Sequence, residues 1–169
     1  ERSVGSVVLR LRQVVGTVIV VNDGSHDATE EIARLAGAQL VSHRGNRGYG
    51  AAIRSGLSAA EALEPEAVIL MDADGQHRVE DVRALLLPVL DGTADVSVGS
   101  RFADGRSRVP RVRRLAQHGL TWLSNVGSGV KLSDSQSGMR AFSPRAVRSL
   151  LLRSTSMAAA SEMQFLASD

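Results

Sequence analysis

Two aspartates separated by a single alanine, Asp72 and Asp74, follow the apolar run in VILMDADGQH. Carboxylates at this spacing just past a strand can both turn toward one hard divalent cation, which also neutralises their repulsion. Gln76 and His77 lie within reach as further ligands or as substrate contacts. A polar turn is the alternative, because Asp and Gly favour turns. The position at the end of a buried strand favours a site for Mg²⁺ or Mn²⁺ carrying a phosphate ligand.

A third aspartate, Asp23, ends the β-branched run TVIVVND. The residues after it can form a turn that caps the next helix, with Ser25 or Asp27 as the N-cap. A capping turn does not explain the presence of Asp23. At a strand end its carboxylate could accept hydrogen bonds from a nucleobase or a ribose.

The segment RGNRGYGAAIRSG, residues 44–56, places glycines at a helix start, a setting suited to anions. It imitates a dinucleotide fingerprint through Gly48 and Gly50. However, Ile53 replaces the third glycine, and the segment follows the second strand instead of opening the fold. A Rossmann-type oxidoreductase is therefore a weaker alternative.

These residues sit within a regular alternation of strand and helix patterns. Strands are predicted at 17–23, 38–43, 66–72, 94–101 and in MRAFS, and helices at 1–15, 27–37, 47–63, 79–92, 111–127 and from Pro144. This order predicts an α/β domain with a mainly parallel sheet, which binds ligands at the carboxyl ends of its strands. Asp23, Asp72 and Arg101 end three of the strands, so we expect them along one edge.

Composition narrows the function further. The chain has 169 residues, a formal net charge of +2 and no cysteine, which fits one domain and excludes disulfides and thiolate metal sites. No apolar stretch approaches the roughly 20 residues of a membrane span. With no signal peptide at its start, the chain is expected to be cytoplasmic.

An arginine-rich segment follows the fourth strand. Residues 101–114 hold six arginines against one acid, Asp104, while aromatic residues are 3% of the chain. We do not expect nucleic acid as a partner, because so few aromatic side chains offer little surface on which bases could stack. A basic loop beside an amphipathic helix suits an anionic substrate or the cytoplasmic face of a membrane.

Five segments in order resemble the family 2 glycosyltransferases of the GT-A fold, and most closely the dolichyl- and polyprenyl-phosphate hexose synthases. They are VIVVNDGSHDAT, NRGYGAAIRSG, VILMDADGQH, VGSRF and DSQSGMRAFS. The resemblance implies one catalytic domain over residues 1–169, a three-layer sandwich around a mainly parallel sheet. From the resemblance we expect the family's first strand, at the sheet centre, and its C-terminal membrane-associated part to lie outside this sequence.

The resemblance also implies roles for individual residues. Positions on the donor side contact the nucleotide or its phosphates: Asp23, Arg47, Asp72 and Arg101. Positions around the metal are Asp72, Asp74 and Gln76. Positions implied for catalysis, toward the acceptor, are Asp134, Arg140 and Glu162.

The implied activity is transfer of a hexose from a UDP- or GDP-sugar to a polyprenyl phosphate, with inversion and with Mg²⁺ or Mn²⁺ as cofactor. If the acceptor is instead a sugar hydroxyl of a cell-surface polysaccharide, a base such as Asp134 becomes necessary. A catalytically silent nucleotide-sugar-binding module and a sugar nucleotidyltransferase are further alternatives. The sequence leaves the choice between UDP and GDP open.

Overall fold

The computed structural model describes residues 4–75, 77–99 and 139–150, in which helices and strands alternate as predicted. In chain order the elements are α1 (Val4–Leu11), β1 (Ile19–Asn22), α2 (Thr29–Leu35), β2 (Gln39–Ser42), α3 (Tyr49–Glu61), β3 (Val68–Met71), a 3₁₀ turn (Val79–Asp81), α4 (Val82–Leu90), β4 (Val96–Val98), β5 (Met139–Phe142) and α5 (Pro144–Ser149). The predicted α/β class is confirmed. The predicted helix at 111–127 and the arginine-rich segment lie outside the described residues.

The described strands form two hydrogen-bonded groups. Strands β1 and β2 are parallel, with Ile19 opposite Gln39. Strand β5 lies between β3 and β4 and runs antiparallel to both, so β3 and β4 run in the same direction. The short strand predicted from MRAFS is confirmed. The sequence pattern did not indicate that this strand lies between β3 and β4.

Side chains from β3 and β5 alternate between two helical layers, as expected for strands buried on both faces. On one face, Ile69 and Met139 join a core that includes the apolar side of α1 (Val4, Val7, Val8 and Leu11) and residues of α2 and α4. On the other face, Phe142 packs with Ile53 and Leu57 of α3 and with Val147 of α5. The described part is therefore a three-layer sandwich.

The helix ends follow the sequence signals at their C-termini but not at the start of α2. Gly37 and Gly92 adopt φ values of +88° and +76° just after α2 and α4, as predicted for glycines that end helices. The predicted N-cap for α2 was wrong. The helix begins at Thr29 after Ala28, because Asp27 forms a local turn in which Oδ1 accepts from the Thr29 amide at 3.1 Å.

None of the helices in the described ranges combines the length and the apolar character that crossing a membrane requires.

Candidate functional site

Asp23 follows β1 directly and ties three parts of the chain together. Its Oδ1 is 2.6 Å from His43 Nδ1 and accepts a hydrogen bond from the Arg47 amide at 2.8 Å. Its Oδ2 accepts from the Gly48 amide at 2.9 Å. The carboxylate therefore holds the loop after β1 against the end of β2 and against the loop that starts α3.

The environment of Asp23 favours its ionised form. Partial burial alone would raise the pKa of the carboxyl group, but the hydrogen bonds from His43 and from the Arg47 and Gly48 amides outweigh it. The pKa of Asp23 is therefore below its ordinary value, and at neutral pH this side chain is a pure hydrogen-bond acceptor.

His43 is the functional-site neighbour that the sequence interpretation missed. It follows β2, and its side chain is only 6% exposed. Its two ring nitrogens are both engaged, Nδ1 with Asp23 and Nε2 with Ser55 Oγ at 2.9 Å. The available signal was its position, because His43 ends a strand at the same edge as Asp23.

Tyr49 connects the start of α3 with the end of β3. Its hydroxyl donates a hydrogen bond to Asp72 Oδ1 at 3.2 Å. Burial raises the pKa of Tyr49 to about 12, the negative charge of Asp72 adds to the rise, and the positive charge of Arg140 opposes it. Tyr49 is therefore a neutral donor that orients the first aspartate of the DAD sequence.

Arg140 is a buried cation on β5, with 4% exposure. It lies opposite Leu70 of β3 and Val98 of β4, on the same face as α3. Its positive charge lowers the pKa of Tyr49, against the rise caused by burial and by Asp72. Its predicted acceptor-side role stays a prediction.

The residues around 47–49 bring three of the four predicted donor-side positions together. Backbone amides of this segment bind Asp23, and the Tyr49 side chain binds Asp72. Arg47 joins this group through its backbone, while its side chain is exposed. Four further predicted site residues lie outside the described residues: Gln76, Arg101, Asp134 and Glu162.

The two aspartates of the DAD sequence fit a magnesium site in which substrate phosphates supply the remaining ligands. Asp72 is half-buried after β3, and Asp74 is exposed in the following turn, which Gly75 completes at a φ of +78°. In the part of the chain that the structure describes, no group of three or more acidic or histidine side chains could hold a metal alone. Two carboxylates with substrate phosphates as the remaining ligands are the usual arrangement for Mg²⁺.

Comparison with known proteins identifies relatives of this chain. The chain is 36% identical to the protein MJ1222 of Methanocaldococcus jannaschii, over 99% of this chain and 71% of that protein. It is 28% identical to the UDP-N-acetylglucosamine–dolichyl-phosphate N-acetylglucosaminyltransferase of Methanococcus voltae, over 79% and 61% of the two chains.

Among solved structures, the fold matches glucosyl-3-phosphoglycerate synthase from Mycobacterium tuberculosis in complex with Mn²⁺, UDP-glucose and phosphoglyceric acid. The TM-score is 0.72 at 26% identity, over 94% of this chain and 57% of that one. These neighbours confirm the predicted GT-A fold. Residues 8–151 match the model of glycosyl transferase family 2, and the chain therefore belongs to that family.

Proposed function

We propose that the protein transfers a hexose from a UDP- or GDP-sugar to a polyprenyl phosphate, with inversion at the anomeric carbon. The observation that carries the proposal is the set of three hydrogen bonds donated by residues 47–49, which hold Asp23 and Asp72 at one edge of the fold. The name of the dolichyl-phosphate transferase relative supports the acceptor class. The chain spans between about half and three-quarters of these relatives, so the activity is a proposal for the whole protein.

The donor is bound along this edge. Asp23 accepts a hydrogen bond from the base, and Arg47 lies near the nucleotide. Asp72 contacts the ribose and the cation, and Asp74 holds the cation together with Gln76. When bound, Mg²⁺ or Mn²⁺ stabilises the negative charge of the departing nucleoside diphosphate.

Arginines add to this stabilisation. Arg101 neutralises phosphate on the donor or the acceptor, an electrostatic contribution made where charge develops. Asp134, Arg140 and Glu162 face the acceptor. The positive charge of Arg140 also lowers the pKa of Tyr49, which supports an electrostatic influence of Arg140 on the donor side as well.

The acceptor supplies the nucleophile. A phosphate monoester is already an anion at neutral pH, so its oxygen attacks the anomeric carbon without a general base. The bond from that carbon to the nucleoside diphosphate breaks as the bond to the lipid phosphate forms. Such an acceptor places the reaction at the cytoplasmic face of a membrane.

A hydroxyl acceptor is the second candidate, because the solved neighbour was crystallised with phosphoglyceric acid. Deprotonating a hydroxyl requires a base, and Asp134 is the residue we propose for it. Turnover of Asp134→Asn separates the two candidates. Near-normal turnover with donor binding intact favours the lipid phosphate, and lost turnover favours the hydroxyl.

The decisive experiment measures binding of UDP- and GDP-sugars by thermal shift with and without Mn²⁺, followed by transfer to undecaprenyl phosphate. We expect a metal-dependent shift with one nucleotide class. Asp74→Asn should weaken metal-dependent binding by about tenfold or more, because a charged ligand is lost.

Glu61→Gln is the matched control, since it removes an exposed carboxylate at the far end of α3. It should leave the shift unchanged. Binding without transfer to any acceptor would identify the silent module instead, and no metal-dependent shift with any sugar nucleotide would contradict the proposal.

A further inference from the structure

The proposed function assigns the Asp23 carboxylate to the nucleobase, and a chain of hydrogen bonds links this carboxylate to two further side chains. His43 contacts Asp23 through Nδ1 and Ser55 through Nε2, at 2.6 and 2.9 Å. The side chains of His43 and Asp23 are 6% and 19% exposed, so Asp23 is the member more open to a ligand. In a Ser–His–Asp hydrolase triad the serine meets the substrate. Here Ser55 lies in the middle of α3, and the aspartate instead of the serine is the member open to a ligand.

The hydrogen-bonding capacity of Asp23 is nearly filled. An ionised carboxylate offers about four lone-pair positions, two on each oxygen. The His43 ring and the Arg47 amide occupy both positions on Oδ1, and the Gly48 amide occupies one on Oδ2. Among the described residues no further donor reaches this side chain. Within the described part of the chain, one acceptor position therefore remains, on Oδ2.

The ring of His43 must carry a proton on Nδ1 to hold this arrangement, because a carboxylate cannot donate. The Ser55 hydroxyl supports that tautomer, since it can donate to Nε2 and leave the proton on Nδ1. His43 therefore acts on Oδ1 as a fixed donor.

Nucleobases differ in what they offer to such a carboxylate. Guanine presents two adjacent donors, N1–H and N2–H, which pair with both oxygens of a carboxylate. Uracil and thymine present a single imide N3–H between two carbonyl groups. A carboxylate with Oδ1 filled can accept the single donor fully, and it cannot form the paired contact with guanine.

We propose that His43 is a specificity-determining residue. Beside the Arg47 amide it takes the second position on Oδ1 of Asp23, and the carboxylate thereby selects a uracil or thymine nucleotide over a guanine nucleotide. This inference rests on the proposed function, in which Asp23 contacts the base. His43 acts through Asp23 and touches no reacting atom.

The test measures the dissociation constants of UDP, dTDP and GDP with Mn²⁺ by titration calorimetry. The wild-type protein should bind UDP or dTDP at least about tenfold more tightly than GDP, the value of one hydrogen bond to a charged group. The comparison of UDP with dTDP separates the two pyrimidine sources, which differ only in the methyl group and the 2′-hydroxyl.

Two substitutions at His43 then separate positioning from structure. His43→Asn keeps an amide donor near the position of Nδ1. His43→Gln keeps one near Nε2 and frees one of the two positions on Oδ1, while the Arg47 amide keeps the other. The tenfold preference should survive in His43→Asn and fall to about threefold or less in His43→Gln. Ser55→Ala removes the contact with Nε2 but keeps the contact of His43 with Asp23, so the tenfold preference should survive in this variant as well.

The outcomes are distinguishable. Equal or tighter binding of GDP by the wild-type protein overturns the inference while leaving the proposed function intact, even where a variant fails to fold. An equal loss of all three nucleotides in both His43 variants, with an unchanged ratio, assigns His43 a purely structural role and also overturns it. Failure of the wild-type protein to bind any of the nucleotides refutes the proposed function, and the inference with it.

Discussion

At the scale of single residues, the side chains that meet at the candidate site are tuned by their partners. Asp23 is held as an anion by three donors, while Tyr49 is held as a neutral donor by burial and by the charge of Asp72. These opposite shifts keep one group as an acceptor and the other as a donor across the neutral range. The two aspartates are thereby positioned before any substrate arrives.

Tyr49 gives a direct measurement of this tuning, because it is the only tyrosine in the chain. Its pKa of about 12 in the folded protein lies above the ordinary value of 10.0, so folding favours the protonated form. This stabilisation is complete below pH 10 and is lost as the pH rises toward 12. We expect phenolate absorbance to appear with a midpoint near 12 in the native protein and near 10 in urea.

Tyr49→Phe is the control for this titration and should abolish the absorbance step. A native midpoint near 10 would contradict the buried contact with Asp72. Loss of the hydroxyl should also destabilise the protein by about 0.5–1.5 kcal/mol, the net value of one hydrogen bond.

At the scale of elements, the site depends on two loops that touch through their backbones. Gly24 follows Asp23 with a φ of +81°, and a side chain there would lie 2.6 Å from the Asn46 amide in the loop before α3. Gly92 has a similar φ of +76° but open space around it. Comparing substitutions at Gly24 and Gly92 therefore distinguishes the cost of backbone strain from the cost of disrupting the loop contact.

We therefore predict different outcomes for alanine at these two glycines. Gly92→Ala should cost about 1–2 kcal/mol through left-handed strain alone. Gly24→Ala should cost more than Gly92→Ala in urea denaturation and should also abolish nucleotide binding, because the Asp23 loop must move away from residues 45–46. Equal costs with binding retained in both variants would contradict the loop contact.

At the scale of the whole molecule, the central strands supply both layers of the core. Phe142 on β5 is fully buried and contributes to the layer under α3, the helix that carries Tyr49. Leu87 on α4 is 62% exposed. Large side chains of the same apolar class thus occupy opposite environments.

Truncation to alanine should reflect that contrast. Phe142→Ala should lower the free energy of unfolding by about 3–5 kcal/mol, through lost burial and a remaining cavity. Leu87→Ala should change it by no more than about 0.5 kcal/mol. Urea denaturation followed by circular dichroism measures both values, and comparable losses would show that the core is not arranged around β5.

Much of this protein was predictable from local pattern. Secondary structure depends on residues a few positions apart, so the alternation of strands and helices, the glycines after α2 and α4, and the apolar face of α1 followed from the sequence. The ends of parallel strands share an edge, which led us to expect Asp23 and Asp72 close together, and in the structure residues 47–49 contact both side chains.

The tertiary structure decided what depends on distant parts of the chain. The placement of β5 between β3 and β4 joins residues 42 to 74 positions apart, and no local periodicity specifies such a pairing. The partners of Asp23 lie 20 to 25 residues away, and Tyr49 meets Asp72 across 23 residues.

The sequence by itself thus determined which residues could bind a nucleotide, a phosphate and a cation, because those abilities belong to side-chain chemistry. Only the folded chain determined that His43 and the Arg47 amide fill one oxygen of Asp23 and that Tyr49 orients Asp72. The physical reason is that hydrogen-bond capacity is used up by neighbours in space, and these neighbours are chosen when the strands and α3 pack together.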